Sequence, residues 1–146
     1  MKVPQIPNNS LTEEIKEIVE LCEQLEDDYD FQFDEPATAD EIKEWEEKNG
    51  IEIPQLYKEW LDFSGDSRIL NGLAHFYGTK MMGEYNEYVP DELVVIGELI
   101  GDGEFLCFSK ESGEIVRYNH GKIKRLEDFK LFLNKFLLRM LRDEMI

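Results

Sequence analysis

The side chains that could carry out chemistry in this chain are few and far apart. The chain has two histidines, His75 in a strand-like segment and His120 in a turn, and two cysteines, Cys22 and Cys107, among apolar neighbours. Zinc binding and nucleophilic catalysis need such side chains in clusters or at fixed spacings, and the sequence contains no CxxC, HExxH or GxSxG pattern. We therefore interpret the histidines as structural or solvated residues and the cysteines as buried free thiols.

The patterns expected for phosphate, calcium and acid–base sites are also missing. Gly101 and Gly103 flank Asp102 in a predicted hairpin turn, whereas a phosphate loop needs a longer glycine pattern that opens a helix. Asp28 and Asp30 lack the glycine and the closing glutamate of a calcium loop. A general acid–base pair needs one carboxyl group in an apolar pocket, and the sequence identifies no such carboxyl. We predict no enzymatic activity, no cofactor and no metal site.

Two tryptophans are the remaining candidates for a ligand site. Trp45 and Trp60 could line a groove, but their helical spacing from neighbouring apolar residues favours packing in the core. A small-ligand binder or an enzyme without a recognisable motif would need a deep pocket with convergent polar groups, which a structure can show or exclude.

The charge of the chain is strongly negative and unevenly distributed. The formal net charge is −17 over 146 residues. Residues 1–66 hold five basic and twenty acidic side chains, a net charge of −15, whereas residues 67–146 hold eleven and thirteen, a net charge of −2. Such a field repels nucleic acid and attracts basic proteins. The alternative is that the acids only keep the protein soluble.

The sequence predicts a cytoplasmic protein that does not enter a membrane. No apolar run approaches the ~20 residues that a membrane span requires, and the first ten residues lack the apolar core of a signal peptide. Two free thiols also fit a reducing compartment.

Three helices are predicted in the N-terminal half of a single domain that spans residues 1–146. Ser10 and Glu13 form a candidate capping box for the first helix, about residues 10–27, and Thr38 and Glu41 form one for the second. Pro54 suits the first position of the third helix, because the missing N–H of proline costs nothing there. We interpret residues 26–35, between the first two helices, as an acidic linker whose Phe31 and Phe33 reach the core.

Strands and a closing helix follow. Strands are predicted at Leu73–Tyr77, Leu93–Ile100, Glu104–Lys110 and Glu114–Asn119, and the short connections between successive strands require antiparallel pairing. The run Phe105–Phe108 within the third of these strands is apolar at every position, which predicts cover on both faces. Asp128 can cap a C-terminal helix with a wide apolar stripe, formed by Phe129, Phe132, Leu133, Phe136, Leu137, Met140 and Leu141. The pattern does not assign the loop at residues 80–90. The predicted fold class is α+β.

Five segments stand in a characteristic order and spacing, at residues 42–61 (IKEWEEKNGIEIPQLYKEWL), 94–97, 102–108, 113–118 and 126–133. Gly72 and the hydrophobic strand after it lie between the first two. Together these features resemble the SUKH superfamily, which includes fungal cell-wall-assembly regulators and bacterial toxin-immunity proteins. The resemblance covers about residues 38–138, and the helix at about 10–27 is an addition to it.

The resemblance implies a central, mostly antiparallel sheet flanked by N-terminal helices and a C-terminal helix. It also implies function by protein binding, without catalysis. The leading hypothesis is an immunity protein that binds and neutralises a cognate polymorphic or contact-dependent toxin, a class that includes many nucleases. The alternative is an intracellular adaptor or regulator of the cell-wall-assembly type. Neither nucleic acid nor a membrane is an expected partner.

A toxin with a basic surface would meet the acids on the outer faces of the first two helices. The candidate contact residues are Glu20, Asp27, Asp28, Glu44 and Glu47, with Tyr85 and Tyr88 of the long loop as aromatic anchors. The matching family residues are chiefly core residues, so the resemblance itself supplies no binding site. The alternative for each candidate is a solvated surface side chain.

Overall fold

The computed structural model describes residues 1–99 and 103–146. The predicted strand end at Ile100 and the turn at Gly101 and Asp102 lie outside the described residues. The described helices are α1 (Thr12–Leu25), α2 (Ala39–Asn49), α3 (Gln55–Leu61), a 3₁₀ turn (Asn86–Tyr88), α4 (Phe129–Phe132), a π-helical turn (Leu133–Leu137) and α5 (Leu138–Glu144). None of these helices combines the length and the apolar composition that crossing a membrane would require.

Within the described residues, seven strands form one antiparallel sheet in chain order, which confirms the predicted α+β fold class. They are β1 (Gln32–Phe33), β2 (Ser67–Ile69), β3 (Ala74–Phe76), β4 (Leu93–Leu99), β5 (Glu104–Ser109), β6 (Ile115–Asn119) and β7 (Lys122–Leu126). The sequence predicted β3 to β6 and missed the other three. β1 and β2 are too short to show an alternating pattern, and β7 is almost wholly exposed. The predicted linker at residues 26–35 therefore contains a strand.

The strand registers define two neighbouring rows of residues that point to opposite sides of the sheet. One row consists of Phe33, Ser67, Phe76, Gly97, Leu106, Arg117 and Lys124. The other row consists of Gln32, Arg68, His75, Glu98, Phe105, Tyr118 and Ile123. The first row is buried up to Leu106, whereas every member of the second is exposed or half-buried. We call the two sides the helix-covered face and the open face.

Helices α3 and α4 cover the first row with aromatic side chains. The Trp60 ring lies 5.4 Å from that of Phe76 and 5.8 Å from that of Phe129, and all three residues are buried. Tyr57 donates its buried hydroxyl to the carbonyl of Tyr77, 2.6 Å away, and so ties α3 to the sheet. Gly97 allows β3 and β4 to approach, since a Cβ atom there would lie 2.5 Å from the His75 carbonyl oxygen.

The first helix packs as predicted but begins differently. Its apolar stripe is buried at Leu11, Ile15, Ile18, Cys22 and Leu25. The predicted capping box at Ser10 and Glu13 is wrong, because α1 begins at Thr12 without a side-chain cap. Instead, the Asn9 side chain accepts from the Leu11 N–H at 2.8 Å, and the Glu59 carboxylate accepts from the Ser10 N–H at 2.6 Å. A tertiary contact from α3 thus replaces a local cap.

The other predicted helix signals are mostly confirmed. Thr38 and Glu41 form the predicted capping box, and Gly50 ends α2 in the left-handed conformation. Pro54 lies one residue before α3 rather than at its first position. Asp128 caps α4 by accepting from the N–H of Leu131.

The C-terminal helix differs from the predicted stripe at one turn. The π-helical turn inserts an extra residue and shifts the buried side by one position. Leu138 is therefore buried, whereas Phe136 and Met140, which the stripe included, are only half-buried. Helix α1 packs against α5, and the Arg142 guanidinium donates to the Glu17 carboxylate across that contact.

Candidate functional site

A pocket with aromatic walls lies on the open face of the sheet. Its walls are the side chains of Tyr85, Tyr88, Phe105 and Tyr118, which we call the aromatic pocket. The cavity measures about 640 Å³, and its remaining lining comes from Gly72, Glu98, Gly103, Glu104 and His120. This volume lies within the range of natural ligand sites. The structure thus shows a pocket that the sequence pattern did not reveal.

The loop that carries both tyrosines is fastened to the edge of β4. Strand β3 ends at Phe76, so the backbone of Val95 has no strand partner on that side. The loop takes that place: Gly83 donates its N–H to the Val95 carbonyl, and the Asn86 side chain accepts from the Val95 N–H, both at 2.9 Å. The 3₁₀ turn then aligns Tyr85 and Tyr88, because residues three apart eclipse in this helix type.

Three rings of the pocket form a compact triangle. The centroids of Tyr85, Tyr88 and Phe105 lie 6.2 to 6.3 Å apart, and the ring planes are inclined by 17° to 34°. Tyr88 is 60% exposed, whereas Tyr85 and Phe105 are half-buried. Tyr118 stands opposite Phe105 in the strand register and extends the wall. Solvent therefore reaches an aromatic surface that is held by the loop and by two strands.

Two glutamates are among the residues that line the pocket. Glu104 is buried and accepts from the Arg117 guanidinium at 2.6 Å, so its charge is compensated. Glu98 stands opposite Phe105, is exposed, and makes no ion pair with any described residue. Its carboxylate accepts a hydrogen bond from the Tyr77 hydroxyl. Burial, and then this hydrogen bond, raise the pKa of Tyr77, which therefore stays a neutral donor. Among the described residues, therefore, no cation is paired with the Glu98 carboxylate.

The open face continues as a groove beyond Glu98. Gly72 and Glu98 also line a neighbouring cavity of about 630 Å³, together with Asp30, Phe31, Gln32, Arg68, Asn71 and His75. His75 contacts Asp66 through Nε2 at 2.9 Å and belongs to a structural contact between β2 and β3. The groove thus follows the second row of residues across the strands.

The structure brings only part of the predicted contact set together. Tyr85 and Tyr88 are neighbours in the aromatic pocket, as described above. Glu44 lines a separate groove with Glu84, the residue that precedes Tyr85, so α2 and the tyrosine loop border one surface. Glu47 lies three residues from Glu44, which places both on the same side of α2.

The remaining predicted acids lie elsewhere. Glu20 is on α1, and Asp27 and Asp28 follow its end; no hydrogen bond or ion pair between described residues joins α1 to α2. The predicted acids therefore fall into two groups by the element that carries them, one at α1 and one on α2. The α1 patch consists of Glu20, Asp27 and Asp28, and the α2 patch of Glu44 and Glu47.

All five predicted acids are exposed, and none forms an ion pair with a described residue. Other acids of the same helices are already paired: Glu17 with Arg142, and Glu46 with Lys58 at 3.0 Å. The two helices thus carry acids that pair with a basic side chain of the protein and acids that are exposed to solvent without such a pair.

Sequence reasoning missed three residues of the pocket: Glu98, Phe105 and Tyr118. Phe105 was assigned to a strand covered on both faces, and this is confirmed for Leu106–Phe108, which are all buried. Phe105 itself is only half-buried, because its side chain borders the open cavity. The missing information is the register, which aligns the three residues across β4, β5 and β6. Only Tyr118, an aromatic residue beside polar Arg117 and Asn119, gave a local hint of a half-exposed strand.

The remaining reactive groups are structural. Both tryptophans pack as predicted: Trp60 is fully buried, and Trp45 is 7% exposed with its Nε1 donating to the Met82 carbonyl. Burial raises the pKa of the Cys22 and Cys107 thiols to about 12, with the charge of Glu23 as a smaller cause for Cys22. Both cysteines are free and buried, as predicted. Within the described parts of the chain, no His, Cys, Asp and Glu side chains are grouped as a metal ion would need.

A comparison with models of protein families identifies a match over most of the chain. The model of the SMI1/KNR4 family (SUKH-1) matches residues 36–135, close to the range of the resemblance seen in the sequence. The matched range contains α2, α3, strands β2 to β7, and every wall of the aromatic pocket. No curated protein matches the chain. Helix α1 lies outside the matched range.

Proposed function

This chain belongs to the SMI1/KNR4 (SUKH-1) family, and we propose that it is an immunity protein that binds and neutralises a cognate protein toxin. Membership of the family supports a binding role, either in immunity or in regulation. In this proposal residues 1–146 form one binding module in the cytoplasm, and the protein acts by covering a toxin surface rather than by catalysis.

The observation that carries the proposal is the set of exposed carboxylates that form no ion pair with a described residue. The α1 patch and the α2 patch together hold five such groups, and Glu98 adds a sixth on the open face. An exposed carboxylate that forms no ion pair within the protein can bind a basic side chain of a partner. A nuclease toxin presents Lys and Arg to phosphate, so its active-site surface has the complementary charge.

The charge would act at two distances. The net charge of −17 attracts a basic toxin before contact and accelerates the encounter. At contact, the aromatic pocket adds apolar area beside the α2 patch, and Tyr and Trp side chains are typical anchors of protein interfaces. In this proposal the tyrosine loop and α2 form the centre of the interface, and the α1 patch contributes mainly to the encounter.

Survival of cells that express the toxin domain encoded beside this gene is the direct test. Co-expression of the chain should restore growth, and Glu44→Lys with Glu47→Lys should weaken that protection. The matched control is Glu111→Lys with Glu127→Lys, which reverses two equally exposed acids outside both patches. Growth no better than that with an empty vector would contradict the immunity function.

The regulator branch of the family is the second candidate, because the match does not distinguish the two roles. It predicts the same fold and a protein partner that is not a toxin. A gene neighbourhood without a toxin gene, together with co-purification of an endogenous partner that needs the same surface, would favour regulation.

A further inference from the structure

We propose that the aromatic pocket binds one arginine side chain of the protein partner. The inference rests on the proposed function only in taking the partner to be a protein. It assigns a chemistry to a cavity on the open face, next to the α2 patch.

The rings of the pocket favour a cation. Aromatic faces carry negative electrostatic potential, and a cation within about 6 Å of a ring centroid is attracted to it. Tyr85, Tyr88 and Phe105 offer three rings within 6.3 Å of one another, and Tyr88 leaves much of its surface open to solvent. An anionic group such as a phosphate would meet these rings and a carboxylate, and would be repelled.

Glu98 supplies the opposite charge beside the rings. It faces Phe105 directly in the register, and directly opposed side chains of an antiparallel pair approach to about 4.5–5.5 Å between Cβ atoms. Tyr77 occupies one oxygen of this carboxylate as a neutral donor. The carboxylate can accept further hydrogen bonds, so it is free to pair with an incoming cation.

The chain already contains this arrangement once, with an internal arginine. On the helix-covered face, the Arg117 guanidinium lies 4.3 Å above the Phe136 ring and donates to Glu104 at 2.6 Å. Arg117 thus stacks on a ring and pairs with a carboxylate. The aromatic pocket presents a ring and a carboxylate of the same kind, without a described cation between them. The helix-covered face therefore shows which side chain fits such a pair.

The geometry favours arginine over lysine. A planar guanidinium can stack on the nearly parallel rings and still present several donors to Glu98, whereas an ammonium group is a compact and more strongly hydrated charge. The groove beyond Glu98 also provides room for the chain on which the arginine is carried, since the two cavities share Gly72 and Glu98. A free small cation would leave this second cavity unused.

The test is an NMR titration of the isotope-labelled full chain with a peptide that carries one arginine. N-acetyl-Gly-Arg-Gly-amide should shift the resonances of Tyr85, Tyr88, Phe105 and Tyr118 in a saturable manner. The matched peptide with citrulline, which has the same shape without the charge, should bind about tenfold more weakly, as expected for the loss of a cation–π contact and a charge-assisted hydrogen bond. The lysine peptide should fall between them.

Two variants link this binding to the pocket. Tyr88→Ala and Glu98→Gln should each weaken binding of the arginine peptide by about threefold to tenfold. The glutamine oxygen can still accept from Tyr77, so Glu98→Gln should remain folded. Glu20→Gln removes the same charge from α1 and should leave the affinity unchanged. Equal binding of the citrulline peptide, equal binding of the lysine peptide, or shifts confined to residues outside the pocket would each overturn the proposal.

The survival assay separates this proposal from the proposed function. Full protection by Tyr88→Ala and Glu98→Gln would overturn the arginine contact and leave immunity standing. Specific binding of the arginine peptide by a protein that gives no protection would support the contact and contradict immunity.

Discussion

The two faces of the sheet use aromatic residues in opposite ways. On the helix-covered face, Trp60, Phe76 and Phe129 meet edge to face and exclude water. On the open face, Tyr85, Tyr88 and Phe105 lie nearly parallel, keep part of their surface in water, and adjoin an uncompensated carboxylate. The same residue class therefore stabilises the fold on one side and offers a binding surface on the other.

The two aromatic clusters differ in how far other elements cover them and in the charge that lies beside them. Helices α3 and α4 bury the first cluster, and a short loop only partly covers the second. The internal acid Glu104 is paired with Arg117, whereas Glu98 has no described cation. An unpaired charge next to an aromatic cluster is therefore a stronger indication of a contact surface than the number of rings in the cluster.

The largest expected difference between the faces concerns stability. Trp60→Ala should lower the free energy of unfolding by about 3–5 kcal/mol, because it leaves a cavity in a fully packed region. Tyr88→Ala should cost less than about 1 kcal/mol, since the side chain is largely exposed already. Urea denaturation of both variants measures the contrast. Equal losses would mean that the open-face cluster is part of the core.

The loss of stability at alkaline pH should show that both sides of the sheet contain regions closed to solvent. Cys22 lies on α1, and Cys107 lies two residues from Phe105, so its side chain points to the same side of the sheet, where it is buried. Both thiols have a raised pKa in the folded state, about 12 against an ordinary 9.0, so the folded protein holds these protons more tightly than the unfolded chain does. The stability that they contribute is complete below pH 9 and declines as the pH rises towards 12.

Between pH 8 and 10, each thiol should therefore lower the free energy of unfolding by on the order of 1 kcal/mol. Denaturation curves at pH 8, 9 and 10 measure the slope, and Cys107→Ala should remove the share of one thiol from it. An unchanged slope in that variant would show that Cys107 is not closed off on the open face.

The smallest expected effect concerns the two acidic patches. Neutralising the α1 patch (Glu20→Gln, Asp27→Asn, Asp28→Asn) should slow toxin association severalfold at low salt, with the free energy of unfolding unchanged within about 0.5 kcal/mol. The difference should shrink as added salt screens the charges. Stopped-flow association rates at several salt concentrations check it. A rate loss that persists in high salt would place α1 in the interface itself.

The sequence predicted those parts of the fold whose signals are local. Thr38 and Glu41 cap α2 within one turn, Asp128 caps α4, and the long strands β4 and β5 carry their own apolar pattern. The Ser10 cap failed because Glu59, far away in sequence, takes the N–H of that residue. Strands β1 and β2 are defined by pairing rather than by composition, so no pattern in two or three residues could predict them.

The same distinction between local and long-range signals applies to the residues of the candidate site. Tyr85 and Tyr88 could be proposed from the sequence because they stand in one polar loop. Phe105, Glu98 and Tyr118 could not, because a register that spans three strands brings them together. The five acids were identified correctly as exposed, but their separation into two patches follows from how α1 packs on α5 and how α2 lies beside the tyrosine loop.

Affinity for the cognate toxin domain tests most directly whether the open face is the docking surface. Titration calorimetry should be run with the full chain, with Tyr88→Ala, and with Glu20→Gln as the control outside the pocket. Tyr88→Ala should raise the dissociation constant by about tenfold to thirtyfold, as expected for an aromatic anchor, while Glu20→Gln changes it by less than about threefold. An unchanged affinity for Tyr88→Ala in a folded protein would contradict the assignment of the open face.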